Sequence, residues 1–227
     1  MPPVNPAQIL GATLIALGLA FNLPYARLAA TFDYPGILRE PPDVILAALV
    51  AGGPALILTW YAFAACALLF APLGMVHALA QGRIARSPAL AVAAAITGAF
   101  AGVLQAMGLL RWVLVVPQLA DMPHSATSFA AIHALGGALI GEHLGQLLTA
   151  LHVGLVGGIQ AKEGSRGPAV TAMVTACVIA IGSFETVALA LGIPGEAFAL
   201  AAIAGYLGLT LWLVWSGAAL IRSTRQP

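Results

Sequence analysis

The sequence predicts an all-α integral membrane protein, a bundle of six transmembrane helices. Of its 227 residues, 61% are hydrophobic and only 7% are charged, whereas soluble globular chains carry about 25% charged residues. Six apolar segments are each long enough to cross a ~30 Å hydrocarbon core, and the polar stretches between them are short. No polar stretch is long enough for a soluble domain, so we expect residues 1–227 to form a single transmembrane domain.

These segments are rich in Ala, Leu and Val and do not alternate strictly, which favours helices over strands. A secretory signal would require Lys or Arg before its apolar segment, and none precedes the first apolar segment here. We therefore expect a retained first span. The predicted spans are approximately Pro6–Leu23, Pro54–Ala80, Pro88–Leu119, Ser128–Gln160, Ala169–Leu191 and Ala197–Ile221.

The first long connection, Pro24–Asp43, holds four prolines and five charged residues, which is typical of an extramembrane loop. A proline pair and Asp43 then look like a helix start, whereas Gly52, Gly53 and Pro54 predict a break. An unbroken helix through both apolar pieces would be about 55 Å long, too long for one crossing. We therefore expect a short interfacial helix, Asp43–Ala51, between the first two spans.

The later connections are short. Ser87 and Pro88 predict an N-cap and first turn for the third span. Asp121–Thr127 and Lys162–Pro168 are predicted turns on either side of the fourth span, and a Gly-Ile-Pro-Gly-Glu loop opens the sixth.

Lys and Arg are distributed unequally between the two sides. By the positive-inside rule, the richer side is cytoplasmic, so we expect a multi-pass protein of the bacterial inner membrane with both termini in the cytoplasm. The richer side holds Arg83, Arg86, Lys162, Arg166, Arg222 and Arg225; the opposite side holds Arg27 and Arg39, with Arg111 near that boundary.

The fourth span carries Glu142 and His143 near its middle. Ionisable residues at this depth are costly and mark a candidate functional site. With about 100° per residue, Gln146 and Thr149 extend a polar stripe from Glu142, while His143 points elsewhere.

Glycines at 137, 141 and 145 recur every four residues on this span. This spacing predicts a groove for close helix packing.

Depth also allows Glu142, Glu185, Arg111 and His133 to meet in the outer half of the bundle. An Arg between two carboxylates would offset the cost of burying each. The group fits either a charge-balanced network that fixes helix register or a site for a ligand or a proton. For Arg111 alone we expect snorkelling to the interface beside Trp112.

Aromatic belts account for the tryptophans. Trp60, Trp112, Trp212 and Trp215 fall near predicted membrane interfaces, where tryptophan is enriched.

Other site classes lack support. The histidines do not recur at the four-residue spacing of helical metal ligands, so no metal site is expected. No Walker A or GxSxG motif occurs, and no Lys/Arg run favours nucleic acid. One cofactor hypothesis remains, in which His77 and His152, at similar depth, hold a haem.

Three stretches resemble one family. They are FDYPGILREPPD at Phe32–Asp43, GLLRWVLVVPQLA at Gly108–Ala120 and LIGEHLGQLLTAL at Leu139–Leu151. They are similar to the bacterial membrane family catalogued as domain of unknown function forty-three eighty-six (DUF4386). The resemblance implies six or seven spans and names no activity. His152 stands where relatives are expected to carry an aromatic residue, so the haem pair is not implied as a family property.

The resembling stretches cluster in the outward half, which suggests an outward-opening cavity lidded by the first loop. We expect this cavity to bind a membrane lipid, a small apolar ligand or a protein partner. The partner could be a second copy of the chain, in a homo-oligomer, or another subunit. The expected lining residues are Glu142, His143, Arg111, Glu185, Gln146 and His133. The alternatives are an enzyme or transporter in which Glu142 and His143 transfer protons, and haem binding through His77 and His152.

Overall fold

The computed structural model describes residues 5–120 and 122–223, which form helices joined by short turns and contain no strand. Asp121 and Arg225, assigned above to a turn and to the basic side, lie outside the described residues. Six segments are long and apolar enough to cross a membrane: Pro6–Phe32, Pro42–Leu79, Pro88–Leu119, Ser125–Lys162, Arg166–Ala190 and Glu196–Ser223. We call them the first to sixth spans. They confirm the predicted all-α membrane bundle.

Several spans consist of more than one helix. The α-helices are Pro6–Ala20, Asn22–Phe32, Pro42–Leu79, Arg83–Arg86, Pro88–Leu114, Val116–Leu119, Ser125–Ile132, Gln146–Lys162, Arg166–Gly182, Glu185–Ala190 and Glu196–Ser223. Gly36–Arg39 forms a 3₁₀ turn, and His133–Gly145 is a π-helix.

The six spans form a closed ring. The second to fifth spans each pack against the following span. The first span closes the ring by packing against both the sixth and the second. At one end the ring interior is filled by an apolar core that includes Leu14, Phe70, Val153 and Trp212. We call this the basic end, because the turn that carries Arg83 and Arg86 lies there. Arg83 and Arg86 both pair with Glu163 at 2.8 Å.

The first span extends further than predicted. After a turn at Phe21 the chain is again helical through Asn22–Phe32, so the predicted end at Leu23 is wrong. Leu28 and Phe32 are buried in a second apolar core, and this burial accounts for the extra helix. The proline-rich segment is therefore partly helical and packed.

The predicted break in the second span is confirmed. Gly53 has φ 56° and ψ −156°, so the chain kinks between the piece that starts at Pro42 and the piece that starts at Pro54. A positive φ favours glycine. An interfacial position for the first piece stays a prediction.

Three tryptophans lie inside the bundle. Trp60, Trp112 and Trp212 are fully buried, so their assignment to aromatic belts is wrong, and only Trp215 is substantially exposed. Trp60 and Trp112 stack with centroids 5.0 Å apart, and Phe32 packs edge-on against both. These rings fasten the end of the first span to the second and third.

The predicted glycine groove is confirmed on the fourth span. A Cβ on Gly141 would lie 3.2 Å from the Cα of Gly108 on the third span. A Cβ on Gly137 would lie 2.5 Å from Arg111, and one on Gly145 would lie 2.9 Å from Gln105. The third span thus lies directly against the glycine row.

Candidate functional site

A cavity of about 220 Å³ lies inside the ring, on the side of the apolar core away from the basic end. Every span contributes to its wall, as does the 3₁₀ turn that follows the first span. One lining residue from each span is Asn22, Phe63, Leu109, Gly141, Glu185 and Tyr206.

Irregular backbone surrounds this cavity. The turn at Phe21, the π-helix His133–Gly145 and the short helix that Glu185 begins all contribute wall residues. In membrane proteins, non-helical backbone at depth is tolerated where it is buried or lines a cavity, and π-helical segments concentrate at functional sites. The interruptions of three spans therefore converge on one place.

Arg39 joins two carboxylates at the cavity. Its Nη2 lies 3.0 Å from Oε2 of Glu142, and its Nε donates to Oε1 of Glu185 at 2.9 Å. Burial alone would lower the pKa of Arg39, but the charges and hydrogen bonds of these carboxylates raise it above its ordinary value. An arginine between two carboxylates was predicted from the sequence, but the residue is Arg39 of the first loop.

Arg111 is buried, with 7% of its surface exposed, so the prediction that it snorkels to the interface is wrong. Its Nη1 donates to the carbonyl of Gly108, and its guanidinium carbon lies 4.9 Å from the centroid of the Trp112 ring. The glycine row explains this position, because Gly137 leaves room for the guanidinium. The charge thus lies at the cavity wall.

Among the residues that the structure describes, four buried polar atoms in this wall have no hydrogen-bond partner. Two are donors, Nε1 of Trp60 and Nε of Arg111, and two are acceptors, Oε1 of Glu142 and Oε1 of Gln146. Buried polar groups are almost always paired, by protein or by ordered water. A molecule in the cavity would complete them.

Next to the apolar core, the polar residues of the wall are hydrogen-bonded to one another. Nε2 of Gln105 donates to Oγ1 of Thr149 at 2.6 Å, and Thr149 donates to the carbonyl of Gly145 at 2.8 Å. Tyr206 also interacts with Gln105 and Thr149. This network lies next to the apolar core, which the cavity also reaches at Leu209.

The two histidines predicted for the site lie behind its wall. His143 Nδ1 is 2.7 Å from the carbonyl of Ser183, which accepts its hydrogen, and the ring packs edge-on against Phe184. His133 stacks on Phe129, and its Nδ1 lies 3.5 Å from Arg111. The structure therefore brings Glu142, Arg111, Glu185 and Gln146 together at the cavity wall, and Glu142 and His143 face different surroundings.

The pair suggested for haem lies in the apolar core. His152 packs edge-on against Phe70 and Trp212, and a Cβ on Gly98 would lie 2.5 Å from its Nδ1. His77 also lies against Trp212, with centroids 5.4 Å apart. This packing fills the space that a porphyrin would need, so the residues do not fit a haem. In the described part of the chain, no three His, Cys, Asp or Glu side chains group as metal ligands.

Sequence reasoning did not identify Tyr34 or Tyr206 as wall residues. Burial, and then the charge of Glu142, raise the pKa of Tyr34, so its hydroxyl stays protonated. The one available signal was its position beside Arg39 in the first resembling stretch. Nothing comparable distinguishes Tyr206 in the sixth span.

The comparisons support the family but add no activity. No curated protein and no solved structure matches the chain significantly. The model of the family described as Domain of unknown function (DUF4386) matches residues 9–217. The match reaches from the first span into the sixth and confirms the resemblance, so this membrane protein belongs to the DUF4386 family.

Proposed function

We propose that this protein binds one small amphipathic molecule, from the membrane or from its outer surface, in the cavity beside Glu142. The observation that carries the proposal is the set of four partnerless polar atoms on a single cavity wall. An unpaired buried polar group costs about 1–3 kcal/mol in proteins. A bound molecule that pairs with several of them would recover much of that cost.

The chemistry of the wall describes the head of the ligand. Trp60 and Arg111 offer hydrogens, so the head needs an acceptor such as a carbonyl, hydroxyl or carboxylate oxygen. Glu142 and Gln146 offer lone pairs, so it also needs a donor such as a hydroxyl or an ammonium group. The wall holds two arginines and two glutamates, and this balance favours a neutral or zwitterionic head.

The rest of the wall favours an apolar body. Phe21, Phe63, Leu109, Ile203 and Leu207 line the same cavity. At about 220 Å³ the cavity is below the ~300–1,000 Å³ of typical drug-sized sites. It suits a small molecule, or a lipid head with the first carbons of its chain.

The predicted orientation supports access from outside the cell. The basic end carries Arg83 and Arg86, so by the positive-inside rule it faces the cytoplasm, with the chain in a bacterial inner membrane. The cavity and Arg39 would then lie in the outward half.

Analysis of copurifying molecules tests the proposal. The wild-type protein, purified in a mild detergent, is extracted and its small molecules are identified by mass spectrometry, beside Glu142→Gln and the control Glu196→Gln. Glu196 begins the sixth span and is not among the cavity-lining residues. We expect one amphiphile in near-stoichiometric amount in the wild type and the control, and a depleted amount in Glu142→Gln. Equal amounts in all three, or no enriched molecule in the wild type, would overturn the proposal.

A further inference from the structure

Three more buried polar atoms lack partners, and all belong to two histidines outside the cavity. In the described part of the chain they are Nδ1 and Nε2 of His77 and Nε2 of His152. The two residues are 1% and 0% exposed, within the apolar core that separates the cavity from the basic end.

The two histidines are placed one after the other across this core. His152 lies one helical turn beyond Thr149, which is the hydrogen-bond partner of the cavity residue Gln105. A Cβ on Gly74 would lie 3.4 Å from Nε2 of His152, so Nε2 faces the second span at that level. His77 follows Gly74 by three residues, or about one turn, and both imidazoles lie against Trp212 at 5.4 and 6.0 Å.

His77 is connected in turn to the basic end. Its backbone carbonyl accepts a hydrogen bond from Nη1 of Arg83 at 2.6 Å, and Arg83 is paired with Glu163. The positive charge of Arg83 acts on both histidines. The ion pair with Glu163 offsets this charge. A line of polar groups therefore crosses the bundle: Glu142, Gln146, Thr149, His152, His77, and Arg83 with Glu163.

The hydrogen bond of His152 fixes its chemistry. Nδ1 lies 2.8 Å from the carbonyl of Ala94, and a carbonyl can only accept, so Nδ1 carries the hydrogen. In the neutral imidazole, Nε2 then holds a lone pair with no donor facing it. A buried acceptor of this kind attracts a water molecule or a proton.

We infer that this line carries protons between the cavity and the basic end, an activity separate from ligand binding. A hydronium ion on the cavity side gives its extra proton to the Nε2 lone pair, which forms an imidazolium and leaves a neutral water molecule. The same Nε2 then releases its proton to a water or nitrogen on the His77 side, while Nδ1–H stays on the Ala94 carbonyl. One N–H bond forms and later breaks, and no electrons are transferred. Water molecules that enter the packed core during the transfer connect the groups that do not touch.

Proton flux into liposomes tests the inference without any ligand. Full-length protein is reconstituted with a pH-sensitive dye inside, and a potassium gradient with valinomycin drives proton entry. The variants are His152→Gln and His77→Gln, because glutamine is close to histidine in size and keeps a donor but takes up no proton. His143→Gln is the matched control, since His143 lies on the same span, bonds a backbone carbonyl and lies off the line.

We expect wild type and His143→Gln to acidify the liposomes faster than protein-free membranes, and His152→Gln and His77→Gln to fall to the protein-free rate. Each variant is checked by circular dichroism and size-exclusion chromatography before reconstitution. A wild-type rate equal to that of protein-free liposomes would overturn the inference, and so would undiminished flux in His152→Gln. If both histidine variants misfold, the wild-type comparison alone still decides it.

Discussion

Arg39 and Glu142 form an ion pair at the cavity, with Nη2 3.0 Å from Oε2, although 103 residues separate them in the chain. Arg39 ends a short turn whose apolar residues are buried against the second and third spans. The pair therefore fastens the first loop to the middle of the fourth span. Since the loop also lines the cavity, we expect this contact to limit access to it.

Loss of the Arg39 side chain should open the cavity. Arg39→Gln removes the ion pairs with Glu142 and Glu185. Two partly exposed pairs contribute roughly 1.4 kcal/mol, which corresponds to about a tenfold change in the equilibrium between the closed and the open cavity. The readout is the rate at which a small polar thiol reagent labels Ala199→Cys, a cavity residue, in a background where Cys66 and Cys177 are alanine. We expect roughly tenfold faster labelling.

Arg27→Gln is the matched control, because Arg27 lies in the same part of the chain and bonds Thr59 instead. Faster labelling in both variants, or in neither, would show that Arg39 does not close the cavity.

Gln146 should matter for binding and not for folding. Its Oε1 has no partner in the structure, so Gln146→Leu breaks no internal bond at that atom and relieves an unpaired group. We expect loss of the copurifying molecule and, once that molecule has been removed from both proteins, an unchanged or higher melting temperature. Gln105→Leu should instead lower the melting temperature, because it removes the 2.6 Å bond to Thr149 and should cost about 1 kcal/mol. A lower melting temperature for ligand-free Gln146→Leu than for the ligand-free wild type would show that this residue is structural.

The close approach of the third and fourth spans should tolerate no added methyl group. In Gly108→Ala the new Cβ would lie 2.8 Å from the Cα of Gly141, which is backbone and cannot turn aside. We expect a loss of about 1–3 kcal/mol. Gly158→Ala is the control, since nothing lies within 4 Å of its Cβ position, and it should be neutral or slightly stabilising. Thermal unfolding in detergent measures both, and equal melting temperatures would contradict the packing described.

Glu163 should make the stability of the basic end depend on pH. Burial raises the pKa of this carboxyl, but hydrogen bonds and charges from Arg83 and Arg86 outweigh it and lower the pKa below the ordinary value. Stability from the pairs is therefore fully present above the unfolded pKa of about 4.3 and is lost as the pH falls through the folded pKa.

The comparison of wild type with Glu163→Gln measures this effect. Arg83 is almost fully buried, so the difference should be roughly 1–3 kcal/mol at neutral pH and should shrink below about pH 4. A difference that stays constant between about pH 3 and 7 would show that the charge of Glu163 is not responsible.

The local features of the fold were readable from the sequence. Gly53 and Pro54 predicted a kink because their backbone preferences act within a few residues. The glycine spacing predicted close packing because it depends on one helix face. The length of the apolar segments was enough to predict six spans.

The contacts between distant parts of the chain were not readable. Arg39 was assigned to a loop, and no local pattern shows that it meets Glu142 and Glu185. Arg111 was expected at the interface because a long side chain near a helix end usually snorkels, and the space left by Gly137 lies on another helix. The π-helix turns the fourth span in a way that a regular periodicity of 100° per residue does not anticipate.

An experimental density map of the wild-type protein in lipid nanodiscs tests the central claim most directly. We expect non-protein density inside the ring, within about 2.7–3.2 Å of Oε1 of Glu142 and Oε1 of Gln146, with Arg39 joined to the same carboxylate. A map in which Glu142 faces acyl chains or bulk solvent, or in which side chains fill the cavity, would contradict it.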